Sequence, residues 1–223
     1  MLNLILKDIL IQKKSLFIGF VYSLFVFLIF KTNTFPQENG KFIFGAVSIA
    51  YIFATYSIEY DEKNNCHWIL NSLPLRRKEI VLAKYISLVI YNVIGISMML
   101  ITGRILSIIG FNLGNYVVDL KSILYVFQST FLAFSFFYPI YFKISYSKTR
   151  YINTIVYLTV VFLPSFFDFL FKNMEGISNL KFLFEMTLNK WDITQQSMLL
   201  AFIIAFTVIS VFISIRNYSE KNF

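Results

Sequence analysis

The stretch EYDEKNNCHWILNSLPLRRKEIVLAK, residues 59–84, is the most densely charged part of a chain that is otherwise mostly apolar. Its spacing predicts a short helix over residues 61–73 with a single apolar stripe. The stripe contains Cys66, Ile69, Leu70 and Leu73, and the positions largely off it are Asp61, Glu62, Lys63, Asn64 and Asn71. A helix of this kind lies on a surface. The stretch is therefore predicted to be a surface segment between two apolar runs.

The second half of this stretch predicts the start of another helix. Pro74 fits a first helical turn, where its missing N–H costs nothing. Arg76, Arg77 and Lys78 fill the same turn, although a helix N-terminus favours acidic residues by about 0.3–1 kcal/mol each. Something outside the helix must therefore favour these cations. Lipid phosphates of the inner leaflet, the positive-inside topology signal and an acidic partner surface are the alternatives.

Composition identifies a polytopic membrane protein. Hydrophobic residues make up 57% of the chain, aromatic residues make up 19%, and the mean hydropathy is +0.67. These values exclude a soluble protein. The net charge of +8 comes from cations in short loops between apolar runs, a pattern typical of membrane topology rather than nucleic-acid binding. We therefore expect a lipid bilayer and no nucleic acid among the partners.

The apolar runs predict an all-α fold with six transmembrane helices in a single domain, residues 1–223. The spans are expected at about 16–35, 42–58, 80–110, 122–142, 151–171 and 193–215, with a coupling region at 59–79 between the second and third. Residues 1–15 predict an amphipathic interfacial helix. Its apolar face has Leu2, Ile5, Leu6, Ile9 and Leu10, and its polar face has Asn3, Lys7 and Lys14.

The distribution of Lys and Arg predicts the orientation. If both termini are cytoplasmic, the inner segments carry thirteen of the 20 cations and the outer segments carry six, with Arg104 inside a span. Cytoplasmic loops carry the excess of Lys and Arg in multi-pass proteins. Both termini and residues 59–79 are therefore predicted to be cytoplasmic.

Motifs for enzymatic chemistry are missing from the sequence. The only Gly-Lys pair, Gly40-Lys41, lies between Phe35 and Phe42 where a phosphate-binding loop has Gly and Ser or Thr. A single histidine, His67, and a single cysteine assemble neither a zinc site nor a catalytic triad. Asp61 and Glu62 form the one carboxylate pair weighed for acid–base work, in what is predicted to be a solvated loop. We therefore expect no catalytic residue, no metal and no cofactor bound by this chain.

Arg104 and Asp168 border the predicted outer surface. Arg104 lies near the outer end of the third span, where snorkelling to the interface explains it. The alternative is that it lines a polar outer vestibule and faces Asp168, near the far end of the fifth span.

The run SLPLRRKEIVLAKY, residues 72–85, preceded by the acidic EYDEKNN, resembles permeases of type-2 ABC exporters. The resemblance is to the small bacterial subfamily that lacks a fused ATPase. Within it, the chain is most similar to permeases that export amphipathic peptide toxins such as phenol-soluble modulins and to those that confer lantibiotic immunity. The motif does not separate these two. Residues 172–192 are short for the outer re-entrant helix pair of larger members.

This resemblance implies a coupling helix at residues 61–73 that docks on a separate ATP-binding subunit. ATP and Mg²⁺ would then bind to that subunit, and the permease would pair with a second copy or a related permease in the bacterial cytoplasmic membrane. The residues implied to contact the ATPase are Asp61, Glu62, Lys63, His67, Trp68, Arg76, Arg77 and Lys78. Rival interpretations are a non-transporting scaffold or sensor that binds a soluble partner through the same segment, and a membrane enzyme.

The charge distribution yields a topology prediction. In a Cys66→Ser background, a cysteine at Ser147 should resist a membrane-impermeant thiol reagent in intact cells, because the loop is predicted to be cytoplasmic. A cysteine at Asn179 should react. Labelling measured by mass shift checks both, and the reverse pattern would move residues 59–79 to the outside.

Overall fold

The computed structural model describes residues 1–30, 39–64, 66, 76–111, 118–144, 148–159 and 193–220. Within these ranges the regular structure is entirely helical, which confirms the predicted all-α class. The helices are α1 (Leu2–Ile11), α2 (Lys13–Ile29), α3 (Gly40–Lys63), α4 (Arg77–Ile108), α5 (Leu120–Ile144), α6 (148–159) and α7 (Ile193–Glu220).

Four of these helices are long and apolar enough to cross a membrane. They are α3, α4, α5 and Ser197–Glu220 of α7, and they overlap most of the predicted spans at 42–58, 80–110, 122–142 and 193–215. Leu2–Ile11 and Ser15–Ile29, bent by 58° to each other, add a fifth span if they count as one. The predicted count of six is not confirmed within the described residues. Most of the predicted fifth span, from residue 160 onward, lies outside them.

The predicted interfacial helix is shorter than expected. Helix α1 ends at Ile11, and the chain turns at Gln12, whose side-chain Nε2 donates to the Phe53 carbonyl of α3 at 2.7 Å. Of the predicted apolar face, Leu2, Leu6 and Leu10 are exposed, whereas Ile5 and Ile9 are half-buried and Ile5 packs against the core. The opposite face of α1, which includes Leu4, is buried against the protein.

Small residues bring α3 and α4 into close contact. A Cβ atom placed on Gly95 of α4 would lie 2.8 Å from the Ala46 carbonyl oxygen and 3.4 Å from the Ala50 backbone nitrogen of α3. Lipid chains provide little driving force for association between apolar helices, so close backbone packing of this kind stabilises membrane bundles.

Tyrosine side chains pack between the helices, and their hydroxyl groups form hydrogen bonds with neighbouring helices. The Tyr85 hydroxyl of α4 shares hydrogen bonds with Ser210 at 2.7 Å and Ser214 at 3.0 Å on α7. The Tyr51 hydroxyl of α3 donates to the Asn153 carbonyl of α6 at 2.6 Å. These bonds satisfy polar groups that would be costly in an apolar surrounding.

Met1 and the end of α7 lie at the same end of the bundle, next to the start of α4. The Met1 amino group is 4.0 Å from a Glu79 carboxylate oxygen. Near the other terminus, Asn217 donates to the Pro139 carbonyl of α5 at 2.9 Å. Because α3 ends and α4 begins here as well, this shared end carries most of the charged residues that the sequence analysis singled out.

The α3–α4 contact predicts a large effect of a small change. Gly95→Ala should lower the melting temperature of the purified protein, because overpacking against backbone atoms costs about 1–3 kcal/mol. Gly19→Ala is the matched control and should lower the melting temperature less, since the atoms nearest to its Cβ belong to the side chains of Met98 and Phe53, at 3.0 Å, and not to backbone. Thermal unfolding in detergent measures both, and equal stability of Gly95→Ala and wild type would contradict the close contact.

Candidate functional site

Four charged side chains from three helices meet at the shared end of the bundle. Lys7 and Asp8 come from α1, Asp61 from α3 and Lys84 from α4. Asp61 accepts from Lys7 and from Lys84, each at 2.6 Å. Asp8 lies 3.0 Å from the Lys84 ammonium and 3.3 Å from that of Lys7. Each lysine therefore contacts both aspartates, and we call this arrangement the four-charge cluster.

The cluster is removed from water. The two aspartate side chains are each 2% exposed, Lys84 is 7% exposed, and only Lys7 reaches the surface at 30%. The effective cost of burying an ion is several kcal/mol unless a partner and further hydrogen bonds compensate it. Two cations facing two anions provide that compensation.

Neighbouring hydroxyl groups complete the hydrogen bonding. Lys84 directs its three N–H donors at Asp8, at Asp61 and at the Ser57 hydroxyl, the last at 2.8 Å. The second carboxylate oxygen of Asp8 accepts from the Ser87 hydroxyl at 3.2 Å. The cluster thus fixes α1 against α3 and α4 through directional contacts.

The structure corrects the predicted position of Asp61. The sequence analysis placed Asp61 and Glu62 in a solvated loop and began a surface helix there. Instead, α3 continues to Lys63, and Asp61 is buried in its last turns because Lys7 and Lys84 match its charge. Glu62 is half-buried and Lys63 is exposed. The role of these three residues in partner contact stays a prediction.

The contacts of Arg77 explain why this cation is tolerated at the start of α4. Helix α4 begins at Arg77, with Arg76 as its N-cap. The Arg77 guanidinium donates to the Ser219 carbonyl at 2.6 Å and to the Tyr218 carbonyl at 3.3 Å, at the end of α7. A cation is favoured at a helix C-terminus, where carbonyl groups lack helical partners. The positive charge of Arg77 is thus unfavourable at the N-terminus of α4 but favourable at the C-terminus of α7.

The remaining predicted site residues are not brought together. Arg76 and Lys78 are exposed at the start of α4, and Arg104 is exposed towards its opposite end. His67, Trp68 and Asp168 lie outside the described residues, so the predicted pairing of Arg104 with Asp168 has no structural description. No group of three or more metal-ligating side chains occurs in the described ranges.

An open groove of about 640 Å³ runs beside the four-charge cluster. Its lining combines α1 with residues near the end of α3 and consists of Asn3, Leu6, Lys7, Leu10, Ile11, Tyr60 and Cys66. Cys66 is half-buried there. Burial raises the pKa of its thiol, and the negative charge of Asp61 adds to that rise.

Sequence reasoning missed the two central members of the cluster, Asp8 and Lys84. A signal for Asp8 was present, because it is the only acidic residue among the first 30. It also follows Leu4 and precedes Gln12 by four residues each, which places all three on one helical face opposite the apolar stripe. Lys84 gave no comparable signal, since a lysine at the start of a span is common.

Comparison with known proteins adds one finding. The family described as ABC-2 family transporter protein has a model that matches residues 3–219, nearly the whole chain. No curated protein and no solved structure matches the chain.

Charge balance within the cluster predicts non-additive mutational effects. Lys84→Gln leaves an excess buried negative charge and should destabilise the protein by about 3–5 kcal/mol. Lys84→Gln combined with Asp61→Asn restores neutrality and should cost less than the single change. Chemical unfolding of the detergent-purified variants measures both.

A matched control removes an ion pair that is open to solvent. Arg216 and Glu220 pair on the surface of α7 at 3.1 Å. Their combined change to Gln should cost at most about 1 kcal/mol. Additive effects at positions 61 and 84 would contradict a coupled cluster.

Proposed function

Because the chain belongs to the ABC-2 family of transporter proteins, we propose that it is the transmembrane subunit of an ATP-driven exporter. A separate subunit binds and hydrolyses ATP with Mg²⁺, and this chain is not itself an enzyme. The missing phosphate-binding loop supports this division of labour. The permease acts as a pair, with a second copy or a related permease.

The observation that carries the proposal is that an ion pair and hydrogen bonds join the helices at the shared end of the bundle. Residues 64–76 connect the end of α3 to the start of α4. The Asp61–Lys84 ion pair joins those two helices at 2.6 Å, and Arg77 joins α4 to the end of α7. A force applied to residues 64–76 would therefore act on several spans together. This is the mechanical requirement for a segment through which an ATPase drives a permease.

Orientation follows from the Lys and Arg bias. The shared end, with Met1, the end of α3, the start of α4 and the end of α7, faces the cytoplasm of a bacterial cell. That places the coupling segment where a soluble ATPase can reach it. Residues 67–75, which include His67 and Trp68, form the centre of the contact, and the exposed Arg76 and Lys78 form its edge.

The substrate class is amphipathic or hydrophobic, with peptides as the leading candidates. Support comes from the resemblance of residues 72–85 to exporters of amphipathic peptide toxins and to lantibiotic-immunity permeases. Both groups remove membrane-active peptides from the cell or its membrane. The same substrate class, amphipathic peptides, therefore fits either role.

Co-purification tests the proposed function. The affinity-tagged chain, solubilised from its native membrane, should bring down an ATP-binding subunit, whereas the chain alone should hydrolyse no ATP above background. Trp68→Ala should reduce the co-purified ATPase roughly thirtyfold at limiting concentration, because an aromatic anchor at an interface centre contributes about 2 kcal/mol. Quantitative mass spectrometry of the eluate measures the ratio of the two subunits.

The other tryptophan supplies the matched control. Trp191→Ala removes the same side chain from the predicted outer segment and should leave the ratio unchanged. Capture of a soluble protein that is not an ATPase would instead support the scaffold interpretation. ATP hydrolysis that persists after every co-purifying ATPase is removed would overturn the permease proposal.

A further inference from the structure

Helix α1 brings both a cation and an anion to the four-charge cluster. Its neighbouring residues Lys7 and Asp8 face Asp61 and Lys84 of α3 and α4. The surface on each side of this contact is therefore neutral on its own. If α1 moves away, Asp61 keeps its 2.6 Å ion pair with Lys84, and Lys7 keeps Asp8 at 3.3 Å. Among these four residues, separation leaves no net charge on either side; it also breaks the partly exposed 4.0 Å ion pair between the Met1 amino group and Glu79.

The apolar part of the same contact is small. Of the ten residues of α1, Leu4 and Asp8 are buried, and Ile5 packs against the core while half-buried. Because buried apolar area supplies the main non-directional attraction between elements, α1 is held mostly by its ion pairs and hydrogen bonds. The open groove beside it shows that its flank is not packed against the bundle.

The connection to α2 permits movement. Helix α1 meets α2 at Gln12, where the two helices are bent by 58°. A change of backbone angles just before Gln12, whose buried side chain stays bonded to the Phe53 carbonyl, would swing α1 without moving α2. Its exposed side chains Leu2, Leu6 and Leu10 would stay in contact with the membrane interface during such a swing.

We propose that α1 is a releasable latch that alternates between a docked state on Asp61 and Lys84 and an undocked state. Movement of the α3 and α4 ends, which carry those two residues, sets the balance between the states. The link of this balance to ATP turnover rests on the proposed function. The docking equilibrium itself is a property of this chain alone.

Cys66 offers a natural probe of the latch. It is the only cysteine of the chain, and it lines the groove together with Asn3, Leu6 and Leu10 of α1. In the docked state its side chain is half-buried. Undocking removes one wall of the groove and exposes the thiol, so the rate of thiol alkylation reports the undocked fraction.

The first experiment uses the full-length chain in proteoliposomes and N-ethylmaleimide as the reagent. Lys7→Gln combined with Asp8→Asn removes every ion pair of α1 with Asp61 and Lys84. Alkylation of Cys66 should then be roughly tenfold faster than in wild type, which corresponds to about 1.4 kcal/mol. The matched control, Arg216→Gln with Glu220→Gln, removes a surface ion pair on α7 and should leave the rate unchanged. Equal rates in all three proteins would overturn the latch.

A second measurement separates release of α1 from unfolding. Asp8→Asn alone leaves Lys7 and Lys84 sharing Asp61, an excess of one buried positive charge. Its melting temperature should therefore lie below that of the Lys7→Gln, Asp8→Asn double variant. A double variant that is as unstable as the single one would overturn the claim that each side of the contact is neutral.

The last measurement addresses ATP turnover and uses the complex purified from native membranes. ATP should accelerate Cys66 alkylation, and a bismaleimide cross-link between Cys66 and Asn3→Cys should slow ATP hydrolysis. If the isolated chain shows the tenfold change but ATP alters neither rate in the complex, the link to turnover is overturned while the docking equilibrium stands. Absence of any co-purified ATPase would overturn the proposed function instead.

Discussion

Lys84 and two aspartates, buried together beside the partly exposed Lys7, impose the main constraint on this structure. Any one of them buried alone would cost more than the surrounding contacts could recover. Lys84 needs a buried anion within hydrogen-bonding distance at its position in α4; Asp61 supplies one, and Asp8 supplies a second when α1 is docked. The end of α3 is therefore held next to Lys84, and docked α1 adds the third helix that converges at this end of the bundle.

Helix α4 is the element through which the other contacts are connected. It meets α1 at Ser87 and α7 at Tyr85, and Gly95 further along permits the close approach of α3. Arg77 at its start holds the end of α7. A displacement of the start of α4 would thus act on both α1 and α7. Helices that met only through lipid-like side chains would slide past each other more freely.

The sequence predicted the helical class and four span positions well, because long apolar runs leave few alternatives in a membrane. Its period also predicted an apolar face on α1, of which Leu2, Leu6 and Leu10 are exposed whereas Ile5 packs against the core. It did not predict the cluster, since Lys7, Asp8, Asp61 and Lys84 are brought together only by tertiary packing. Charges were interpreted as loop signals, and that interpretation is wrong for Asp61, whose cost of burial is met by residues 54 and 23 positions away.

The distribution of charge within the cluster separates two mechanical roles. Asp61 and Lys84 join the two helices that flank residues 64–76, and their pairing does not depend on α1. Lys7 and Asp8 add a second, independently neutral pair from a helix with little apolar burial. A contact built from two neutral halves can hold helices in register when closed and still open at modest cost. Such a contact can transmit a movement in one state and release it in another, whereas a purely apolar contact of the same size would lack this directional register.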